Sequence, residues 1–270
     1  MDASVIVNTY ERPRLLALVL EGLLHQTAGG FEIIVADDGS GEETRRVIDA
    51  FRARAPIPVL HARQKRDGAR RAAVRNLGIR NASTGYCIFL DGDCIPPKDF
   101  VELHLKHRRP GCFLLGGYLR LTEEYSSGVT PAKIAAADYA GQMTPECIRM
   151  LRHHHRNAWL YNLLGVKDRP RMAGANFSAW KSDLAAVSGF NEDYTGWGRE
   201  DSDLRTRLRR AGLKGRSIWP ICIVYHLYHP IDTSKPNDLE INAELYARSS
   251  RVVRCSNGLV KESLRGQAQA

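Results

Sequence analysis

Two carboxylates, Asp91 and Asp93, flank a glycine directly after the apolar run at residues 86–90. The run predicts a buried strand, and ligands of open α/β sheets bind beyond the carboxyl ends of such strands. Carboxylate oxygens placed there suit a hard divalent cation. Taken alone, Asp91-Gly92-Asp93 fits a turn or a helix cap equally well, so its interpretation depends on the residues that accompany it.

Three further polar clusters follow predicted strands. They are Asn8-Thr9-Tyr10, Asp37-Asp38-Gly39-Ser40, and His226 with His229. Because the strands of one parallel sheet deliver their carboxyl ends to one edge, we expect all four clusters to converge on a single crevice that offers metal ligands and room for a nucleotide.

A second pair of acids, Glu200 and Asp201, begins a predicted amphipathic helix. The helix dipole and its free amides tend to lower a carboxylate pKa and keep the group ionised. An ionised carboxylate can act as a general base. The alternative is a helix N-terminal pair with no chemistry.

The elements that must position these residues alternate along the chain. We expect strands at 4–7, 32–36, 58–61, 86–90, 112–121, 172–179 and 216–225, and helices at 13–26, 43–54, 68–81, 99–107, 181–187, 200–211 and 238–251. This order predicts an α/β fold with a mostly parallel sheet and helices on both faces. Residues 123–170 are polar and helix-prone, and we interpret their three adjacent histidines, 153–155, as surface residues.

The charge composition limits the classes of ligand that the chain is suited to bind. The 270 residues carry 39 Lys and Arg against 30 Asp and Glu, a formal charge of +9. This suits a nucleotide phosphate, a nucleic acid or an acidic lipid surface, or reflects a solvated basic face. The arginine-rich stretches near 63–80 and 205–210 lack the interleaved aromatics of nucleic-acid binders, which disfavours that class.

The six cysteines include no Cys-x-x-Cys pair, so neither a zinc site nor a disulfide framework is indicated, and Cys87 and Cys222 read as core residues. The chain opens directly on a strand pattern, and no apolar run approaches the ~20 residues that span a bilayer. We therefore expect a cytoplasmic protein whose membrane contact, if any, is peripheral.

The ordered motifs resemble the inverting family 2 glycosyltransferases of the nucleotide-sugar-binding GT-A fold. The matching blocks are 5–13, 33–40, 68–69, 73–79 and 86–93. A further block, at 174–177, 189–192 and the Gly-Trp-Gly-x-Glu-Asp run at 196–201, is similar to the acceptor-side motif of β-galactosyl- and N-acetylhexosaminyltransferases. Arg199 stands where galactosyltransferase-like members often carry glycine, and Cys94 where many members have another acid.

The resemblance implies roles for individual residues. Contacts to a UDP-sugar donor fall on Thr9, Tyr10, Asp38, Arg75, Asp91, Gly92 and Trp197, with Asp38 and Thr9 at the uracil, Asp91 at the ribose and Trp197 against a sugar ring. Asp93 is the implied metal ligand, joined by His226 or by His229. Oxygen ligands favour Mg²⁺ or Mn²⁺, and an imidazole favours Mn²⁺. Asp201 is the implied base, and Glu200 orients the acceptor.

By this resemblance we expect an inverting, metal-dependent transfer of a hexose or N-acetylhexosamine to a glycan or glycolipid acceptor with β linkage. The setting would be bacterial surface polysaccharide or lipopolysaccharide synthesis, with peripheral contact to anionic membrane at its inner face. Residues 1–121 would form the donor half, 122–232 the acceptor and catalytic half, and 233–270 a helical tail. A sugar nucleotidyltransferase is the alternative enzyme, although its glycine-rich phosphate loop is missing after the first strand.

Overall fold

The computed structural model describes residues 1–166, 169–196, 198–230 and 239–261. The strands are β1 Ala3–Thr9, β2 Phe31–Asp37, β3 Val59–Arg63, β4 Tyr86–Asp91, β5 Cys94–Ile95, β6 Cys112–Leu115, β7 Gly117–Arg120, β8 Asn176–Trp180, β9 Lys214–Ser217 and β10 Ile223–His226. The helices are α1 Pro13–Leu24, α2 Glu42–Arg54, α3 Arg71–Asn81, α4 Phe100–His107, α5 Glu123–Ser127, α6 Pro131–Ala135, α7 Pro145–Leu163, α8 Lys181–Ala186, α9 Glu200–Arg210 and α10 Leu239–Ser249, with a 3₁₀ helix at Asp138–Gln142.

The strands form a seven-stranded sheet, ordered β3-β2-β1-β4-β8-β6-β9, and a three-stranded sheet, ordered β5-β10-β7. In the large sheet β1 runs parallel to β2 and β4, β2 to β3, and β6 to β9, whereas β8 is antiparallel to β4 and β6. This mostly parallel sheet confirms the expected α/β class.

Strand alternation divides the core between the two faces of the large sheet. On one face, Val5, Ile33 and Ile88 pack against α1, α2 and α4. On the other, Ile6 and Ile34 pack against apolar residues of α3, α8 and α9. Because successive side chains of a strand point to opposite faces, near-continuous apolar runs are the expected pattern for a sheet covered on both sides.

The expected strand at 112–121 is wrong in one respect, because it is two strands that belong to different sheets and meet at Gly116. A Cβ on Gly116 would lie 2.1 Å from the Asn176 side-chain oxygen, so only glycine allows this approach. The Asn176 amide donates to the carbonyls of Gly117 and Cys222, at 2.8 and 3.1 Å, and its oxygen is 3.0 Å from His104 Nε2. Asn176 thereby ties the small sheet to the large one.

The expected strand at 216–225 is likewise two strands, β9 and β10, in different sheets. The turn at 218–222 separates them, with backbone hydrogen bonds from Ile221 and Cys222 to the Ile218 carbonyl. The chain before α3 is also not helical until Arg71, and β8 begins at Asn176 rather than at 172. Residues 123–163 are largely helical, as their composition indicates. Within the described residues, no helix is both long and apolar enough to span a bilayer.

Candidate active site

An open cleft lies where β1, β2 and β4 end. Its lining includes residues from three of the four sequence clusters, together with Arg12, Arg66 and the first part of α3. The contributing cluster residues are Asn8, Thr9, Tyr10, Asp38, Asp91, Gly92 and Asp93. The expected convergence of these motifs on one crevice is therefore present.

Asp93, His226 and His229 form a cluster of side chains that could hold a metal ion. The Asp93 carboxylate lies 3.7 Å from His226 Nε2 and 3.3 Å from His229 Nε2, and one ligand atom from each residue fits within a 4.8 Å span. Burial acts to raise the Asp93 pKa, but His229, His226 and Arg12 together hold it well below the usual carboxyl range. Both histidines that the sequence offered as alternatives therefore lie at the same carboxylate.

His226 reaches this position by a route that differs from the expected one. Its strand, β10, belongs to the small sheet and is antiparallel to β5, where His226 is paired with Cys94. Since Cys94 directly follows Asp93, the pairing places the end of β10 beside the metal motif. The premise that one parallel sheet carries all four clusters is wrong for this one.

Sequence reasoning missed Arg12 and left Cys94 unexplained. The Arg12 guanidinium donates to Asp93 Oδ2 at 2.8 Å, so a cation already neutralises this carboxylate. The signal was its place in the first loop, two residues after the Asn8-Thr9-Tyr10 cluster. Cys94 is buried, and its thiol pKa is raised well above the usual value by burial and by Asp93 and Asp91. It is a neutral neighbour of the site.

The two acids of the Asp37-Asp38 turn have separate roles. Asp37 is 1% exposed and accepts hydrogen bonds from Ser40 and His61. These bonds outweigh burial and lower its pKa, so it holds the turn. Asp38 faces the cleft and accepts from Gln64, Arg66 and the Arg70 amide.

The part of the cleft near Thr9 and Tyr10 has a cation stacked on an aromatic ring and a buried hydroxyl group. The Arg66 guanidinium lies 3.7 Å from the Tyr10 ring centroid. Thr9 Oγ1 is buried at the cleft wall and has no hydrogen-bond partner among the described residues. Buried polar atoms are normally paired, so Thr9 Oγ1 is suited to a ligand group. Gly92 lies against the first strand, where a Cβ would be 2.9 Å from the Asn8 carbonyl oxygen.

Arg75 joins the two sets of acids. Its guanidinium is 1% exposed and lies 2.8 Å from Asp201, 3.1 Å from Asp91 and 3.3 Å from Glu200. These carboxylates raise its pKa despite burial, so it remains charged. The resemblance implies a place for Arg75 near the nucleotide, and the structure puts its guanidinium between Asp91 and the pair Glu200 and Asp201. Its helical position gave no signal of this.

Asp201 does not follow the expectation of a lowered pKa. Burial, with the charges of Glu200 and Asp91, outweighs Arg75 and Arg71 and raises the Asp201 pKa to about 7. Its side chain is still 23% exposed, and the Gly174 amide donates to Oδ2 at 2.9 Å. A carboxylate with this pKa can exchange a proton near neutral pH.

The other residues that the sequence singled out around Asp201 are Glu200, Arg199 and Trp197. Glu200 is buried at the start of α9, 3.3 Å from Arg75. Arg199 adopts φ 73°, in the left-handed region that favours glycine. Trp197 lies outside the described residues.

Comparison with known proteins gives two family matches. Residues 4–112 match the model "Glycosyl transferase family 2", and residues 160–230 match "N-terminal domain of galactosyltransferase". The chain is 30% identical over 230 residues to chondroitin synthase of Escherichia coli, which covers 80% of this chain and 33% of that protein. The chain thus spans about a third of this relative's length.

Two solved structures share the fold. A mannosyltransferase from Pyrobaculum calidifontis, in complex with GDP-Man and Mn²⁺, gives a TM-score of 0.61 at 17% identity over 92% of this chain and 62% of that one. TarS 1–349 of S. aureus, in complex with UDP, gives 0.64 at 15% identity over 99% and 69%. Both confirm the GT-A architecture.

Proposed function

We propose that the chain is a family 2 glycosyltransferase, on the basis of the match at residues 4–112, and that it is an inverting, metal-dependent hexosyltransferase. It moves a hexose or N-acetylhexosamine from a UDP-sugar to a glycan or glycolipid acceptor and forms a β linkage. The observation that carries the proposal is the Arg75 guanidinium, which joins Asp91 of the donor motif to Asp201 of the acceptor motif at 3.1 and 2.8 Å. This contact supports the proposal because it holds the Asp201 carboxylate, our assigned base, close to the cleft residue Asp91.

The donor lies in the cleft with its uracil ring toward Thr9 and Asp38. The unpartnered Thr9 hydroxyl supplies one hydrogen bond to the uracil. Asp38 already accepts three hydrogen bonds, but two carboxylate oxygens offer about four lone-pair sites. One of these sites is therefore left for the ring N–H. Asp91 takes the ribose, and Arg71 in the cleft lining is assigned to the diphosphate.

The residues at Asp93 fit a divalent cation. One carboxylate and two imidazoles, with ligand atoms within 4.8 Å, form the mixed oxygen and nitrogen set that suits Mn²⁺, with Mg²⁺ as the alternative. When bound, such an ion supplies Lewis-acid stabilisation of the departing diphosphate. Arg12 shares Asp93 Oδ2 and would have to yield part of this contact. The neighbours that hold UDP, or GDP-Man with Mn²⁺, support a nucleotide-sugar donor and a metal.

The acceptor hydroxyl attacks the anomeric carbon from the side opposite the diphosphate, which inverts the configuration. Asp201 takes the hydroxyl proton as the new bond forms, and its pKa of about 7 keeps a usable ionised fraction at neutral pH. The Gly174 amide and Arg75 fix one Asp201 oxygen each. Glu200 is assigned to the acceptor sugar, and Trp197, which lies outside the described residues, is assigned to the sugar ring of the donor.

The chain divides by role. We assign residues 1–121 to donor binding, 122–232 to acceptor binding and catalysis, and 233–270 to a helical tail. The product is a bacterial surface polysaccharide or lipopolysaccharide built in the cytoplasm, with peripheral contact to anionic membrane and no nucleic-acid partner.

The test is turnover of UDP-sugars by the purified chain. UDP-glucose, UDP-galactose, UDP-N-acetylglucosamine and UDP-N-acetylgalactosamine are each incubated with Mn²⁺, and UDP release and the anomeric configuration of the product are measured. We expect one or two donors to release UDP, with β products where an acceptor is supplied, and no release by Asp201→Asn. An α product would contradict the inverting mechanism. Equal turnover by Asp201→Asn would contradict its role as base.

A further inference from the structure

Helix α7 carries an exposed apolar patch that the catalytic site does not use. The patch consists of Trp159, Leu160, Leu163 and Leu164, which are 66%, 42%, 65% and 70% exposed. Large apolar side chains grouped on a surface mark a binding site for another surface. A single exposed leucine would need no explanation, but four large apolar side chains within six consecutive residues do need one.

The opposite face of α7 already has its partners. Leu151 and Ala158 are buried, the Asn162 amide donates to the Gly215 carbonyl at 2.6 Å, and the His154 ring lies 5.0 Å from that of Trp219. These contacts fix the rotation of the helix. The patch therefore points away from the protein as a consequence of how α7 is held.

Basic residues continue the patch along the same face. Positions 149, 152, 156, 160 and 163 follow the three- and four-residue spacing of one helix face. The first three are Arg149, Arg152 and Arg156, all exposed. Glu146, in the first turn, is the single acid of this helix. The face is thus cationic over its first turns and apolar over its last.

We propose that this face of α7, the basic-apolar face, binds the surface of a bilayer that contains anionic lipid. An interfacial helix combines basic residues for the headgroups with Trp and Leu for the acyl boundary. Trp favours that depth because its ring is apolar and its N–H is polar. Each arginine gains from the negative surface potential, and each apolar side chain gains from leaving water.

A second copy of the chain is a poorer occupant. A twofold contact between two such faces would bring the arginines of one copy toward those of the other, because a symmetric interface uses the same patch twice. Like charges in contact disfavour that association. An anionic bilayer meets both the charged and the apolar part of the face.

The location of α7 links this surface to the acceptor side. The chain that leaves α7 reaches Gly174 ten residues after Leu164, and the Gly174 amide donates to Asp201. Binding at α7 would hold the acceptor half next to the bilayer, where a lipid-linked acceptor is found. This consequence rests on the proposed function, and the lipid contact gives a location to the peripheral membrane contact proposed there, whereas its test needs no catalysis.

The test is co-sedimentation with vesicles of phosphatidylcholine alone and of phosphatidylcholine with 30% phosphatidylglycerol, with UDP titration of each variant to verify the fold. We expect the wild type to bind the anionic vesicles. Arg152→Glu with Arg156→Glu should weaken binding by about 25-fold or more, from about fivefold per basic residue. Trp159→Ser with Leu163→Ser should weaken it by at least about tenfold.

Matched control variants distinguish binding through this face of α7 from an effect of the overall charge or of exposed apolar residues elsewhere. Arg45 and Arg46 have side chains 64% and 78% exposed on α2, and their change to Glu alters the net charge equally. Leu60→Ser with Ile241→Ser removes two apolar residues that are 43% and 66% exposed elsewhere. Both controls should bind as the wild type does. Equal loss in a control and in the corresponding α7 variant would overturn the proposal.

A second readout reports insertion directly. Brominated phosphatidylcholine in the anionic vesicles should quench tryptophan fluorescence in the wild type, and Trp159→Phe should retain sedimentation but lose most of the quenching. Absence of wild-type binding to anionic vesicles would refute the proposal. A wild-type dimer in sedimentation velocity that is abolished by Trp159→Ser with Leu163→Ser would also refute it, in favour of a second copy. Because neither readout needs turnover, failure here is distinct from failure of the proposed catalysis.

Discussion

Replacing Arg75 with glutamine should move the acid limb of the rate profile to higher pH. Asp201 must be ionised to accept a proton, and its pKa is about 7 in the presence of Arg75. In the wild type, kcat/KM should therefore fall below pH 7, by about tenfold for each pH unit. Arg75 lies 2.8 Å from Asp201 and favours the ionised form. Its removal raises the pKa of Asp201.

The size of the shift follows from the geometry. An opposite charge within this distance lowers a carboxyl pKa by roughly 1–3 units, so the variant pKa should lie at roughly 8–10. At pH 7.5 about three quarters of wild-type Asp201 is ionised, against about a quarter to below one hundredth in the variant. The expected loss of rate at pH 7.5 is thus about threefold to more than a hundredfold. Activity should return as the pH is raised.

The assay is UDP release at subsaturating donor from pH 5 to pH 10, with two matched controls. Arg80→Gln makes the same change on α3, at a side chain 42% exposed that pairs with Glu192, and should leave the limb in place. Arg75→Lys keeps the charge and should leave it near pH 7. Recovery at high pH distinguishes a titration from misfolding. A wild-type limb near pH 4, or one unmoved in Arg75→Gln, would refute the role of Asp201 as a base held by Arg75.

Three further predictions concern binding and stability. Asp93→Ala should remove metal-dependent UDP binding in calorimetry. Asp201→Asn should retain this binding and lose turnover. Equal UDP affinity of the wild type and Asp93→Ala with Mn²⁺ would refute the metal assignment. Gly116→Ala should lower the free energy of unfolding in urea by about 1–3 kcal/mol, because its Cβ would clash with Asn176, while Gly85→Ala, with open space around its Cβ, should change it little. His104 is buried and its pKa falls from 6.5 to about 4, so the unfolded chain binds an extra proton between these values. The free energy of unfolding should therefore drop by about 3 kcal/mol as pH falls from 6.5 to 4, and His104→Gln should lack this component.

Local patterns predicted the convergence of the polar clusters after β1, β2 and β4 well. Each of β1, β2 and β4 contains a short apolar run followed by polar residues, and a parallel sheet gathers their ends at one edge. Asp38, Asp91 and Asp93 could therefore be placed together without coordinates. Gly116 also indicated a close backbone approach, which Asn176 explains.

The arrangement of residues 122–232 was harder to predict because many of their contacts are distant in sequence. Nothing local to 216–225 showed that the segment divides between two sheets. Arg75 and Asp201 are 126 residues apart, so neither the ion pair nor its effect on pKa follows from helix position. A rule about helix N-termini predicted a lowered Asp201 pKa, and burial beside other carboxylates overrode it. Arg12 belonged to a matched motif, but only the folded structure shows that it pairs with Asp93.

The central claim is tested most directly by calorimetric titration of the purified chain with UDP, CDP and GDP, each with Mn²⁺ and again with excess chelator. The proposal predicts selective UDP binding that requires the metal and is lost in Asp93→Ala. Preference for another nucleotide would contradict the UDP donor, and UDP binding indifferent to chelator would contradict the metal site at Asp93, His226 and His229.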